Sequence, residues 1–238
     1  MPEPTEIDQF KKLFVFKDLS SDDLQVIFQA AHMRSLETGQ FFFMQGDPAD
    51  AMYVVKSGRV KLFQITPDGQ QVLLRVVGAW DIFAVVALVE NATFPVTAEV
   101  SDDCQAYYWT RPVLMDLVKR IPGLALSAMR LMSERLQEYQ DRVRELSTER
   151  VERRLARAIL RLANQTGRAV AEGVLIDLPL TRQDLAEMTG TTLFTVSRIL
   201  SQWEQQELVI SGREKIIIRF PHGLVRIAED LPSGPQAD

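Results

Sequence analysis

TRQDLAEMTGTTLFTVSRILSQW, residues 181–203, is the stretch that decides the fold. Its pattern is that of two short helices joined by a tight turn, the helix-turn-helix that sets its second helix in the major groove of DNA. Thr181 is placed to cap the first helix, whose inward face is Leu185, Ala186 and Met188. Gly190 supplies the turn, because glycine takes left-handed backbone angles without steric cost. Thr192 is placed to cap the second helix, and Val196, Ile199, Leu200 and Trp203 recur at the spacing of a buried helical face. Leu193, Phe194, Ser197 and Arg198 are left on the outer N-terminal turns, from which side chains reach base edges. An ordinary helical hairpin satisfies the same spacing, so the surrounding chain has to decide.

At 238 residues, with 46% hydrophobic and 25% charged residues, the chain has the size and composition of a soluble protein of about two domains. No apolar run approaches the roughly 18 residues of a membrane span, and Met1–Gln9 lacks a signal-peptide layout. The cytoplasm is the expected location, with no membrane partner. Cys104 is the single cysteine, which excludes an intrachain disulfide and any metal site or cluster needing several thiolates from one chain. The net charge of −5 is unevenly spread. Residues 1–150 hold 16 Lys and Arg against 21 Asp and Glu, whereas residues 151–228 hold 11 against 8. A mildly basic C-terminal part inside an acidic chain is compatible with DNA binding.

Outward from the quoted stretch, the chain falls into three segments. The first has a short helical start, with a helix over Asp22–Ala31 on the spacing of Leu24, Ile27, Phe28 and Ala31. Strand-like runs follow at Phe41–Met44, Met52–Val55, Arg59–Thr66, Val72–Val77, Thr97–Val100 and Ala106–Trp109. Turn signals separate several of them, at Gly46-Asp47-Pro48, Ser57-Gly58 and Pro67-Asp68-Gly69. Many short strands with glycine-bearing turns predict an antiparallel β-roll or jelly roll.

The second segment, Pro122 to Thr148, places Met129, Met132, Leu136, Tyr139, Val143 and Leu146 at alternating steps of three and four. This is a coiled-coil seam, flanked by Glu134, Arg135, Glu138, Arg142, Arg144 and Glu145, and a parallel homodimer would cover it. The competing, less favoured arrangement lays the same face along the chain's own β-roll, and Met132 and Tyr139, imperfect as seam residues, are the two that would then face a cavity between helix and roll. The third segment has a helix through Val151, Leu155, Ala158, Ile159 and Leu162, a loop at Asn164–Gly173 and a strand at Val174–Leu178. The helix-turn-helix follows, then a β-wing of Leu208–Ile210, a turn at Ser211–Glu214, and Lys215–Phe220. The fold expected is α+β: a β-roll sensor domain over 1–120, a dimerisation helix over 121–148, a winged helix-turn-helix over 149–228 and a disordered tail over 229–238.

That order resembles the Crp/Fnr family of bacterial transcription regulators, over about residues 10–228. The resemblance is carried by Gly46-Asp47 with Met52-Tyr53-Val54-Val55-Lys56-Ser57-Gly58-Arg59-Val60-Lys61, a roll of the cyclic-nucleotide-binding type. It is carried also by Leu180-Thr181-Arg182-Gln183-Asp184-Leu185-Ala186 with Thr195-Val196-Ser197-Arg198. It implies a homodimer on a pseudo-palindromic double-stranded operator, with half-sites about 34 Å apart, and RNA polymerase as a partner. Arg198 falls where the family's base-reading arginine does, and arginine suits the O6 and N7 of guanine. Many members carry a glutamate one turn earlier, where this chain has Phe194 preceded by Leu193. Those side chains contact a thymine methyl but accept nothing from cytosine, so a shifted operator is expected. Thr181, Arg182, Thr192, Thr195 and Ser197 are candidates for phosphate or secondary base contacts, or simply for capping and solvation.

The cyclic-AMP branch carries a Gly-Glu pair for the ribose and an Arg-Ser/Thr pair for the phosphate. Here Ala84 and Val85 replace the first, and the stretch Asn91–Ala98 offers no arginine. An unpaired phosphate in an apolar pocket is costly, so cyclic AMP is not the expected ligand. The iron–sulfur branch needs a cysteine cluster that this sequence lacks. The expected effector pocket is apolar: Phe83, Val85, Val86, Leu88, Val96, Met132, Leu136 and Tyr139. The runs Phe83-Ala84-Val85 and Phe94–Ala98 are most similar to the denitrification and nitric-oxide-responsive (Dnr/NnrR-like) branch, which implies haem as a candidate cofactor. Its ligand is not evident, since His32 and His222 lie outside the expected pocket and Met132, Tyr139 and Cys104 serve as well for core or seam. A constitutive regulator with a filled roll is the alternative. An enzyme is not expected, because no phosphate loop, zinc spacing or Ser/His/Asp arrangement occurs.

Overall fold

The structure, a computed structural model, describes residues 4–13, 15–69 and 71–231. Two compact units divide the chain between Tyr139 and Gln140. The first opens with α1 (Pro4–Lys12) and α2 (Ser21–Gln29). Ser20 caps α2 by accepting the Asp23 N–H at 3.1 Å, and Leu24, Ile27 and Phe28 are buried, as their spacing predicts. The roll follows: β1 (His32–Leu36), β2 (Phe41–Phe43), β3 (Ala51–Ile65), β4 (Gln71–Val77), β5 (Ile82–Phe83), a 3-10 turn at Val85–Leu88, and β6 (Thr97–Thr110). The strands run β1-β6-β3-β4, with β2 also on β6 and β5 also on β3, every pairing antiparallel.

The sequence reading breaks β3 into two runs at Ser57-Gly58, and β6 into Thr97–Val100 and Ala106–Trp109. The structure joins each pair into one long strand. Gly58 is a bulge and not a turn: its φ of +83° sits among register shifts between Val55 and Val60, and the pairing with β6 resumes on both sides. β1 escapes the reading because His32–Leu36 has no apolar alternation and forms an edge, partly or fully exposed along its length. Within the core Trp109 is fully buried, and its Nε1 donates to the carbonyl of Ile27 at 2.8 Å.

Two further helices are α3 (Arg111–Arg120) and α4 (Pro122–Thr148). Leu124 and Leu131 of α4 join the core of the roll. Met129, Met132, Leu136, Tyr139, Val143 and Leu146 stay exposed, Val143 at 64%. The helix therefore lies on its roll with a face other than the seam, apart from the edge residues that line a cavity described below.

The second unit holds α5 (Val151–Thr166), β7 (Gly167–Val170), β8 (Gly173–Ile176), α6 (Arg182–Thr189), α7 (Leu193–Gln205), β9 (Val209–Gly212), β10 (Lys215–Ile218) and α8 (Pro221–Glu229). Its sheet runs β7-β8-β10-β9, all antiparallel. The expected wing is β9–β10. The expected loop at Asn164–Gly173 is instead the end of α5 followed by β7, whose four residues gain strand form only by pairing with β8. α8 was not expected either, and it runs to Glu229, one residue into the expected tail; residues 232–238 of that tail lie outside the described residues.

A Cβ on Gly58 would stand 2.2 Å from the carbonyl oxygen of Asp103, whereas Gly39, at φ +84°, has open space around it. Gly58→Ala should cost the roll more than about 2 kcal/mol, against roughly 1 kcal/mol for Gly39→Ala, where only backbone strain acts. Urea unfolding of both variants checks the difference.

Candidate nucleic-acid interface and ligand cavity

The helix-turn-helix is built by local chemistry. Thr181 and Asp184 form a capping box: the Thr181 Oγ1 accepts the Asp184 N–H at 3.0 Å, and the Thr181 N–H donates to Asp184 Oδ2 at 2.8 Å. α6 ends at Gly190, left-handed at φ 59°, whose N–H returns to Ala186 and Glu187. Thr192 caps α7, accepting the Thr195 N–H at 3.2 Å, and the two threonine hydroxyls share a hydrogen bond at 3.0 Å. Leu185, Ala186, Met188, Val196, Ile199, Leu200 and Trp203 are buried, as their spacing predicts.

The outer face of α7 shows what the sequence placed there. Phe194 is 76% exposed, Leu193 and Arg198 are exposed, and Thr195 and Ser197 are half-buried. Arg198 has no hydrogen bond or ion pair among the described residues. Arg182 differs, because its Nη2 donates to Ser211 Oγ of β9 at 3.2 Å. Ser211 in turn donates its hydroxyl and its N–H to Glu204 Oε1, each at 2.8 Å. Arg182 thus ties α6 to the wing. The wing tip exposes Arg213 and Lys215, which motif spacing did not single out; a basic pair flanking a hairpin turn was the signal available.

Arginines also brace the turn from behind. Arg154 of α5 donates from Nε to the Thr189 carbonyl and from Nη1 to the Glu149 carbonyl, both at 2.9 Å. Arg142 donates to the carbonyl of Met188 at 2.9 Å, and Arg161 contacts both oxygens of the buried Glu145 at 3.0 Å. Carbonyls at the end of α6, which helix geometry leaves open, find their donors here.

In the first unit a cavity of about 340 Å³ opens among β4, β5, the 3-10 turn, Phe94–Val96 and α4. Phe83, Val85, Val86, Val96, Met132, Leu136 and Tyr139 line it together. Leu88, expected with them, is not on the lining and packs instead against the core of the roll. Two arginines missed by the sequence reading, Arg75 of β4 and Arg135 of α4, stand in the wall. The expectation of a wholly apolar pocket is corrected on that point. It looked for arginine only in Asn91–Ala98, whereas the register shift between Leu62 and Phe63 breaks the alternation that would show which way β4 faces.

The Arg75 side chain is 17% exposed, and its Nε is buried without a hydrogen-bond partner. Its ion pair with Asp81 is long, 3.6 Å from Nη2 to Oδ1. Burial first, and then repulsion by Arg135, holds the Arg75 guanidinium below its usual pKa. Arg135 is better served, with Nη1 at 2.9 and 2.8 Å from the oxygens of Glu138.

The wall offers haem neither a histidine nor a thiolate. Among groups that hold haem iron, the wall offers only the Met132 thioether and the Tyr139 phenol. His32 packs at a tilt against Tyr108 outside the cavity, and Cys104, also outside it, is buried with its thiol pushed up to about 12, so that it stays protonated. Among the described residues no cluster of His, Cys, Asp and Glu is arranged to hold a metal ion, and no helix is long and apolar enough to cross a membrane.

A ligand-sized cavity in a β-roll and a capped helix-turn-helix with a wing define a DNA-binding regulator with an effector-binding domain. Residues 33–121 match the cyclic nucleotide-binding domain, and residues 153–227 match the Crp-like helix-turn-helix domain. The chain is 27% identical over 217 residues to the cyclic AMP receptor protein of Thermus thermophilus, covering 91% of this chain and 97% of that one. It is 27% identical over 204 residues to the anaerobic regulatory protein of Bacillus subtilis, covering 84% and 86%. The structure of FixK2 from Bradyrhizobium japonicum shares the fold, with a TM-score of 0.72 at 24% identity over 86% of this chain and 98% of that one. The chain belongs to the Crp/Fnr family of transcription regulators, and its relatives are regulators and not enzymes.

Arg154→Met should leave the Thr189 and Glu149 carbonyls without that donor. The expected cost is about 1–3 kcal/mol of stability in the second unit, with weaker DNA binding although α7 is untouched. Thermal melting and a DNA titration of the same preparation check both effects.

Proposed function

We propose that this chain acts as a homodimer that reads a pseudo-palindromic operator, switched by a small effector other than cyclic AMP. The observation that carries this reading is the row of exposed apolar side chains along α4, from Met129 to Leu146. A seam of that length left in water is unfavourable, and a second copy of α4 covers it. On this reading residues 1–120 are the sensor, 121–148 the dimerisation helix and 149–228 the DNA reader, with RNA polymerase as partner in the cytoplasm.

Arg198, exposed and unpaired among the described residues, takes guanine, while Leu193 and Phe194 meet apolar base edges. Thr181, Thr192 and Thr195 use their hydroxyls in capping, and Arg182 is held by Ser211, so their contribution is to hold the reader in shape. Ser197 sits between these and Arg198 on the outer turns. Against cyclic AMP stands a cavity wall without any Asp or Glu to accept from ribose hydroxyls. A cavity of about 340 Å³ favours an effector over a filled roll. The likeness to the nitric-oxide-responsive branch rests on sequence alone, and the donor set gives haem no step here. Switching is a population shift: an effector that prefers one packing of α4 moves the pair of readers toward it.

Val143→Glu, at an exposed seam position, should turn the dimer into monomers in sedimentation at micromolar concentration. Arg198→Ala should leave the dimer intact and weaken operator binding by about 1–3 kcal/mol, with specificity relaxed at a guanine. Fluorescence anisotropy on operator DNA separates the two. A Val143→Glu chain that remains a dimer contradicts the seam, and an Arg198→Ala chain with unaltered specificity contradicts the reader.

A further inference from the structure

The cavity in the roll combines an almost wholly apolar wall with a cation that the protein leaves underused. Apart from Arg75, Arg135 and the phenol of Tyr139, every side chain on the wall is apolar. Arg75 reaches that wall from β4 with a buried Nε that has no acceptor and an ion pair to Asp81 stretched to 3.6 Å. A guanidinium presents five N–H donors in a planar fork that matches a carboxylate, and a buried donor without an acceptor is unfavourable. Arg135 stands on the same wall and adds a second positive charge. The carboxylates that partner these arginines, Asp81 and Glu138, are not themselves on the wall. The volume, about 340 Å³, lies at the small end of ligand pockets and suits a body of one or two rings.

We propose that this cavity binds a compact, mostly apolar carboxylate, with the carboxylate seated on Arg75, Arg135 beside it, and the hydrocarbon body among Phe83, Val86 and Leu136. The assignment rests on reading the cavity as the effector site, and it supplies the chemical class of the effector. An uncharged ligand of the same shape fills the apolar volume but gives the Arg75 guanidinium no counter-charge in the cavity. A cyclic nucleotide satisfies the charge but buries ribose hydroxyls against hydrocarbon.

The test is isothermal titration of the full chain with 1-naphthaleneacetate, with 2-(1-naphthyl)ethanol as its uncharged counterpart, and with cyclic AMP. The acid should bind roughly tenfold or more tightly than the alcohol, since a charge-assisted bond to arginine is gained. Arg75→Met should erase that preference while leaving the alcohol's affinity unchanged, and Arg135→Met, at a less buried position, should reduce it. Should Arg75→Met fail to fold, Arg135→Met decides. Equal affinity for acid and alcohol, binding of neither, a preference that survives the substitutions, or tighter binding of cyclic AMP than of the acid would each overturn the proposal. Operator binding with and without the acid tests the underlying reading separately. An acid held through Arg75 that leaves DNA affinity unchanged sinks the effector role but not the carboxylate site.

Discussion

The pairing of β3 with β6 is the constraint on which the first unit depends. Every other strand of the roll attaches to one of these two, β1 and β2 to β6, β4 and β5 to β3. Both strands run too long to stay flat, and the bulges around Gly58 shift the ladder by one residue, after which pairing continues from Val60. The cavity opens beside that ladder. Leu62 on β3 and Phe83, held on β5 by its pairing with Tyr53, supply part of its wall, and Phe94–Val96 lead directly into β6. At its far end β6 passes at Thr110 into α3, and so sets where α4 begins.

Placement of α4 joins packing to function. Leu124 and Leu131 anchor it in the core of the roll. Met132, Leu136 and Tyr139 line the cavity and yet remain substantially exposed, as members of the seam. One set of side chains therefore faces both the cavity and, on the proposed assembly, the partner helix. On that proposed assembly, a ligand that changes their rotamers alters the surface offered to a second copy, a physical route from cavity to partner without any long chain of intermediates. In the second unit, Arg142 and Arg154 fasten the end of α6 to the end of α4 and the start of α5.

Elements fixed by neighbours in sequence were legible before the structure, and elements fixed by distant pairing were not. Thr181, Gly190 and Thr192 act within a few residues of themselves, so their capping and turning roles follow from residue type and spacing. The same holds for the buried faces of α2 and α7. Gly58 carries the same residue signal as a turn, and only its ladder with β6 makes it a bulge. β1 and β7 have little apolar pattern of their own and exist through their partners. Arg75 was hidden for a related reason: the facing of β4 is set by a register shift that no local pattern records. The apolar part of the cavity was legible, and its charge was not.

The measurement that bears most directly on the account is selection of the intact protein's preferred sites from random double-stranded DNA. A dimer reading through two copies of α7 should enrich an inverted repeat whose half-sites are centred about 34 Å, or roughly ten base pairs, apart. Enrichment of a single unrepeated motif, or of no sequence at all, would contradict it.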